Sequence, residues 1–215
     1  MSNSHLPRFM VIGDFEYCEN ELRWQTVLEQ IGSVDWERKI AVQVRIKNQT
    51  NENFLRLAAL ARSILGETVI TVLNGDIHLA RKLLYDGVHL PQLTNLKQTP
   101  VDFKWLSTVS HNLADLNAID STPVTCNLVS PIFSPHWKRT SPLGLEQLRV
   151  FCRTCEVPVF ALGGICLQMV SDCIASGAYG IASLSGVLDS MSPNETIAQF
   201  LYTIDSSLIR RTYES

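Results

Sequence analysis

Apolar residues recur along the chain in eight short runs: Arg8–Ile12, Ile40–Ile46, Thr68–Leu73, Gly87–Leu90, Trp105–Val109, Val124–Val129, Val157–Leu162 and Gly180–Leu184. These read as strands. Between them, apolar positions fall at helical spacing near Glu19–Ile31, Asn51–Leu65, Ile77–Leu84, Leu113–Ile119, Gly144–Cys152 and Leu167–Ala175, with a last helical run at Asn194–Ile204. The pattern is weakest after Leu90, where Pro91 to Lys97 predicts at most a short turn of helix. Eight strands alternating with helices predict an α/β fold, an eight-stranded (β/α)8 TIM barrel formed by residues 1–215 as one domain. A doubly wound open sheet is the competing arrangement, but it does not usually need eight such regular units.

The most informative stretch runs from Val157 to Val187: VPVFALGGI, the amphipathic CLQMVSDCIASG, then AYGIASLSGV. It predicts two parallel strands joined by a helix, the first ending in Gly163-Gly164 and the second in Ser185-Gly186. Adjacent glycine turns can present bare backbone N–H groups side by side, which is how a barrel grips a phosphate after its last two strands. The alternative is that these glycines serve tight turns alone.

Composition narrows the field. With 215 residues and 46% hydrophobic content the chain can bury a sizeable core. Eighteen Lys+Arg against 21 Asp+Glu, without a long run of either sign, argue against nucleic acid as a partner. No apolar run reaches the roughly 20 residues needed to span a bilayer, and MSNSHLPRFM lacks the features of a signal peptide, so a cytoplasmic location is expected and a membrane partner is not. Six cysteines within apolar or amphipathic segments predict reduced thiols. Cys152 and Cys155 have redox-motif spacing but close a helical run rather than opening one, so no thiolate is favoured there and no second ligand pair completes a metal site.

A barrel places its chemistry at the C-terminal ends of its strands. In AVQVRIK, period-two alternation sends Gln43, Arg45 and Lys47 inward and Val42, Val44 and Ile46 outward. Two inward cations are costly to bury without an anionic partner; a bound phosphate or diphosphate would supply it, and the alternative is a salt bridge to a neighbouring strand or a solvated Lys47. Asn74 ends the third strand at the mouth, and Asp76 reads as a helix cap. Asp86 opens the fourth strand on the structural face, His89 alternates inward as a core histidine, and Gln92 follows within reach of the mouth. Ser110 either holds a ligand or caps the next helix. His111 is a candidate proton carrier, with no partner at triad spacing. The loop SPIFSPHWKRTSPLG brings His136, Trp137, Lys138 and Arg139 over the mouth, either as a mobile basic lid or as an exposed loop whose Trp137 packs on the barrel top.

The ordered series VQVRIK, NGDIHLA, DGVHLPQ, VSH, SPIFSPHWK with PLG, FALGGI and GAYGIASLSGV resembles the thiamine phosphate synthase and TenI family from about residue 40 to residue 187. The resemblance implies that Arg45, Lys47, Asn74 and Lys138 hold a diphosphate, that Ser110 lies by the reacting rings, and that Gly163, Gly164, Leu184 and Ser185 line a thiazole phosphate site. It implies two small-molecule partners, a phosphorylated thiazole and pyrimidine methyl diphosphate, and a homodimer. Magnesium is the implied cofactor of the synthase reaction, yet its two aspartates align with Gly75 and Thr94, and two lid threonines with Pro135 and Trp137. The TenI branch isomerises the thiazole and needs no diphosphate metal site, but its histidine aligns with Pro131, leaving His111 or His136 to substitute. The expectation is a TenI-like or divergent enzyme, followed by a working synthase and then by a non-catalytic binder of phosphorylated ligands.

Overall fold

The computed structural model describes residues 6–91, 103–119, 123–137 and 139–214. Strand β1 (Phe9–Asp14) is followed by α1 (Glu21–Gly32), β2 (Ile40–Arg45), α2 (Asn51–Leu65), β3 (Ile70–Asn74), α3 (Ile77–Lys82) and β4 (Gly87–Leu90). The second half carries β5 (Trp105–Ser110), a 3-10 turn leading into α4 (Leu116–Ile119), β6 (Cys126–Val129), α5 (Gly144–Thr154) and β7 (Val159–Leu162). A further 3-10 turn leads into α6 (Val170–Ala175), then β8 (Gly180–Ser183), α7 (Ser185–Leu188) and α8 (Pro193–Glu214). All eight strands are parallel, neighbours in sequence pair, and β8 closes the barrel onto β1. The expected TIM barrel is the fold; the open sheet is not.

Alternation along the strands builds two cores. Met10, Ile12, Ala41, Val72, Trp105, Cys126, Leu128, Phe160 and Ala182 fill the barrel interior. Their sequence neighbours, such as Val11, Val42, Leu73, Leu106 and Ile181, pack outward against the helices. Trp105 and Phe160 meet inside with ring centroids 5.5 Å apart and, being bulky, plug the barrel below its mouth.

The polar residues near strand ends divide into structural and mouth-facing sets. Asp86 accepts from the Thr71 N–H at 2.8 Å and from its hydroxyl at 2.9 Å and pairs with Arg38, which ties β3 to β4 away from the mouth. Asp76 caps α3, accepting the Leu79 N–H at 2.8 Å. None of the six cysteines forms a disulfide, and Cys152 and Cys155 stand at the end of α5. Among the described residues no helix is long and apolar enough to cross a membrane.

Candidate functional site

A cavity of about 400 Å³ opens at the C-terminal ends of the strands. The inward alternation of β2 delivers Gln43 and Arg45 to its wall, and Lys47 follows from the loop beyond the strand. Gln43 is 2% exposed and its buried Oε1 accepts no hydrogen bond. Arg45 pairs with Asp14 at the end of β1, so the salt bridge to a neighbouring strand supplies its counter-charge, while Lys47 is exposed. Burial lowers the Arg45 pKa from its ordinary value, although a guanidinium stays cationic. Asn74 continues the wall from β3.

Two histidines line this cavity in different states. His89 is 4% exposed, with Nδ1 2.9 Å from the Ser107 hydroxyl. Burial, then the charges of Arg45 and Lys47, push its pKa down to about 3, so it is neutral at physiological pH. His111 sits after β5 at the rim, its backbone N–H held by Asp115 at 2.7 Å and its Nδ1 2.6 Å from the Ser130 carbonyl oxygen. A carbonyl can only accept, so Nδ1 carries the proton and the neutral ring keeps its basic lone pair on Nε2.

Four strands around the ring from β3, the turn after β7 forms the facing wall with Gly163, Gly164, Leu184 and Ser185. Gly163 and Gly164 have φ of +96° and +63°, and a side chain on either would lie 2.7 Å from the backbone of Pro131 or Phe133. The close approach is fixed by Ile132 N–H to Leu162 O and Phe133 N–H to Gly163 O, both 2.9 Å. These glycines therefore bring the turn after β7 against the loop after β6. Ser185 opens α7, whose first helical bonds run from the Val187 and Leu188 N–H groups to the Leu184 carbonyl at 3.1 and 2.9 Å. Trp137 also lines the cavity, 46% exposed and edge-on to Tyr17.

Ser110 corrects the expectation. It is fully buried and does not line the cavity, because β5 extends one residue beyond the sequence-read run and alternation turns Ser110 to the outward side with Leu106 and Thr108. There it receives a 3.0 Å bond from the Asn127 amide, and the cap of the following turn is Asn112 instead. Gln92 and Lys138 lie outside the described residues, as does Thr94. Sequence reasoning missed Tyr17, Asp189, Ser130 and Thr140 around the mouth.

The described residues do not suit magnesium. Asp14 is engaged by Arg45 and by the Tyr17 N–H, and Asp76 is committed to capping α3. Gly75 has no side chain, and no cluster of three His, Cys, Asp or Glu exists among the described residues.

Known proteins agree with this architecture. Residues 19–187 match the family model described as thiamine monophosphate synthase. The thiamine-phosphate synthase of Herpetosiphon aurantiacus is 31% identical over 172 residues, covering 74% of this chain and 80% of that one. That of Flavobacterium psychrophilum is 27% identical over 172 residues, covering 74% and 82%. Among solved structures, the thiamine phosphate pyrophosphorylase from Pyrococcus furiosus shares the fold with a TM-score of 0.74 at 20% identity, over 94% of this chain and 97% of the other. The 3-hexulose-6-phosphate synthase structure shares it with a TM-score of 0.66 at 12% identity, over 92% and 99%. Because the matched segment runs from the start of α1 through the turn after β8 and so takes in nearly every wall of the cavity, the chain belongs to the thiamine monophosphate synthase family.

Proposed function

We propose that the protein binds a phosphorylated thiazole at the barrel mouth and transfers a proton on it, as a TenI-like isomerase. The observation that carries this reading is His111, whose Nδ1 lies 2.6 Å from the Ser130 carbonyl oxygen, which leaves Nε2 available as a base at the rim of the cavity. The backbone N–H groups of Gly163, Gly164, Leu184 and Ser185 would receive the phosphate. Arg45 and Lys47 add positive charge, and Gln43 and Asn74 offer amides to the ring edge. Trp137 would cover the ring face.

An isomerisation takes a proton from one atom of the ring system and returns it to another. His111 Nε2 accepts the proton, and the imidazolium so formed keeps its Nδ1–H bond to the Ser130 carbonyl, which stabilises the cation. The same ring then returns the proton, with no net charge left on the protein. The remaining side chains orient the substrate.

A second reading, condensation of pyrimidine methyl diphosphate with thiazole phosphate, is favoured by the convergence of Gln43, Arg45, Lys47 and Asn74 from β2, β3 and the loop beyond β2. Side-chain cations would then meet the leaving diphosphate, and no step is routed through magnesium.

Incubating purified protein with thiazole phosphate in D2O, with and without pyrimidine methyl diphosphate, and analysing the products by NMR and mass spectrometry separates the two. Isomerisation with deuterium incorporation, lost in His111→Ala while binding persists, supports the first reading. Thiamine phosphate formation assigns the second, and binding without any turnover would leave a non-catalytic binder.

A further inference from the structure

The loop between β1 and α1 places Tyr17 just outside the cavity, where three separate segments converge on one phenol. Its hydroxyl donates to Asp189 Oδ2 at 2.6 Å. His136 Nε2 lies 3.5 Å from the same oxygen. The Tyr17 ring meets Trp137 edge-on, with centroids 5.4 Å apart and planes at 66°. Tyr17 thus touches Asp189, at the end of α7, together with two consecutive residues of the loop after β6.

We propose that Tyr17 is a positioning residue that fastens the loop after β6 to α7 and holds Trp137 over the cavity. Its own placement is fixed from behind. The Tyr17 N–H donates to Asp14 Oδ1 at 3.0 Å, and the other oxygen of that carboxylate pairs with Arg45 inside the mouth. Asp189 is held in turn by Arg23, which donates to Oδ1 at 3.0 Å and to the Leu188 carbonyl at 3.2 Å. One network therefore runs from a cavity cation, through Asp14 and Tyr17, to the helix that begins at the glycine-lined wall. Burial and Asp189 push the phenol up to about 12, so it remains a donor throughout the neutral range.

Only the significance of Trp137 over the cavity rests on the ligand reading above; its placement does not. Trp24, Trp36 and Trp105 are at most 9% exposed, whereas Trp137 is 46% exposed, so acrylamide quenching of tryptophan emission reports on Trp137. A Trp137→Phe control assigns the signal. In the ligand-free protein, Tyr17→Phe keeps the ring and removes the hydroxyl, and quenching should rise; Tyr17→Ala should raise it further, and Asp189→Ala should match Tyr17→Phe. The Tyr17→Phe, Asp189→Ala double variant should quench no more than either single variant, because both remove the same bond. Calorimetry with thiazole phosphate should then show weaker binding to Tyr17→Phe, because ordering Trp137 over the ligand is then a cost met on binding. Quenching unchanged in folded Tyr17→Phe and Tyr17→Ala would overturn the proposal whatever the ligand. Increased quenching in variants of a protein that does not bind thiazole phosphate supports the placement of Trp137 and rejects the ligand assignment alone.

Discussion

Acid should destabilise this barrel through His89 by a calculable amount. In the folded protein the imidazole is 4% exposed against Ser107, and its pKa falls from 6.5 to about 3. The folded value is depressed for a group that is charged when protonated. Above the unfolded pKa both states hold a neutral ring, and His89 exerts no pH-dependent effect. As pH falls below 6.5 the unfolded chain takes up a proton that the folded protein refuses, so stability drops until the folded pKa is reached. At pH 5.0 the linkage amounts to about 2 kcal/mol and at pH 7.5 to less than about 0.1 kcal/mol. Urea unfolding of the wild type and of His89→Asn at both pH values isolates this, since the other titrating groups are common to the two proteins. Asparagine can keep a bond to Ser107 but cannot titrate. The wild type should lose about 2 kcal/mol more than the variant on going from pH 7.5 to 5.0. Equal losses would refute the reasoning, because they would mean that the folded barrel lets His89 protonate as freely as the unfolded chain does.

Three other substitutions test separate parts of the structure. Gly164→Ala places a methyl group 2.7 Å from the Phe133 backbone at a φ of +63°, and should cost about 2–4 kcal/mol in urea unfolding; a loss below about 1 kcal/mol would show that the turn is not tightly packed. Arg45→Ala leaves Asp14 buried without its ion pair and should cost about 3 kcal/mol by the same assay, while weakening phosphate-ligand binding in calorimetry. Asp86→Ala removes the acceptor of two Thr71 bonds and the partner of Arg38, and should lower stability by about 2–3 kcal/mol without changing ligand affinity. A changed affinity in Asp86→Ala would show that the structural and mouth-facing ends of the barrel are coupled.

The fold was legible because a barrel strand obeys local rules. The sequence-read ends of β2, β4 and β8 lie within a residue or so of the observed ones, since apolar runs, alternation and glycine turns are all features of neighbouring residues. Alternation also placed Gln43 and Arg45 correctly on the cavity wall. The same rule applied to β5 would have turned Ser110 outward once Trp105 faced in; the family resemblance favoured the opposite side. The short helix α7 was missed because its four residues, SGVL, carry no helical period of their own and take their form from the turn after β8. Tyr17 and Asp189 stand 172 positions apart, so nothing in the order of residues announces that barrel closure brings them together. His111 was legible as a candidate, but its tautomer depends on the Ser130 carbonyl, a backbone atom without a sequence signature.

The most direct test of the account is a calorimetric titration of thiazole phosphate into the wild-type protein in the presence of EDTA. Saturable binding of one ligand per chain, undiminished by the chelator and weakened by Arg45→Ala, is the predicted result. No binding with or without magnesium in a folded protein would contradict the claim that this cavity receives a phosphorylated thiazole.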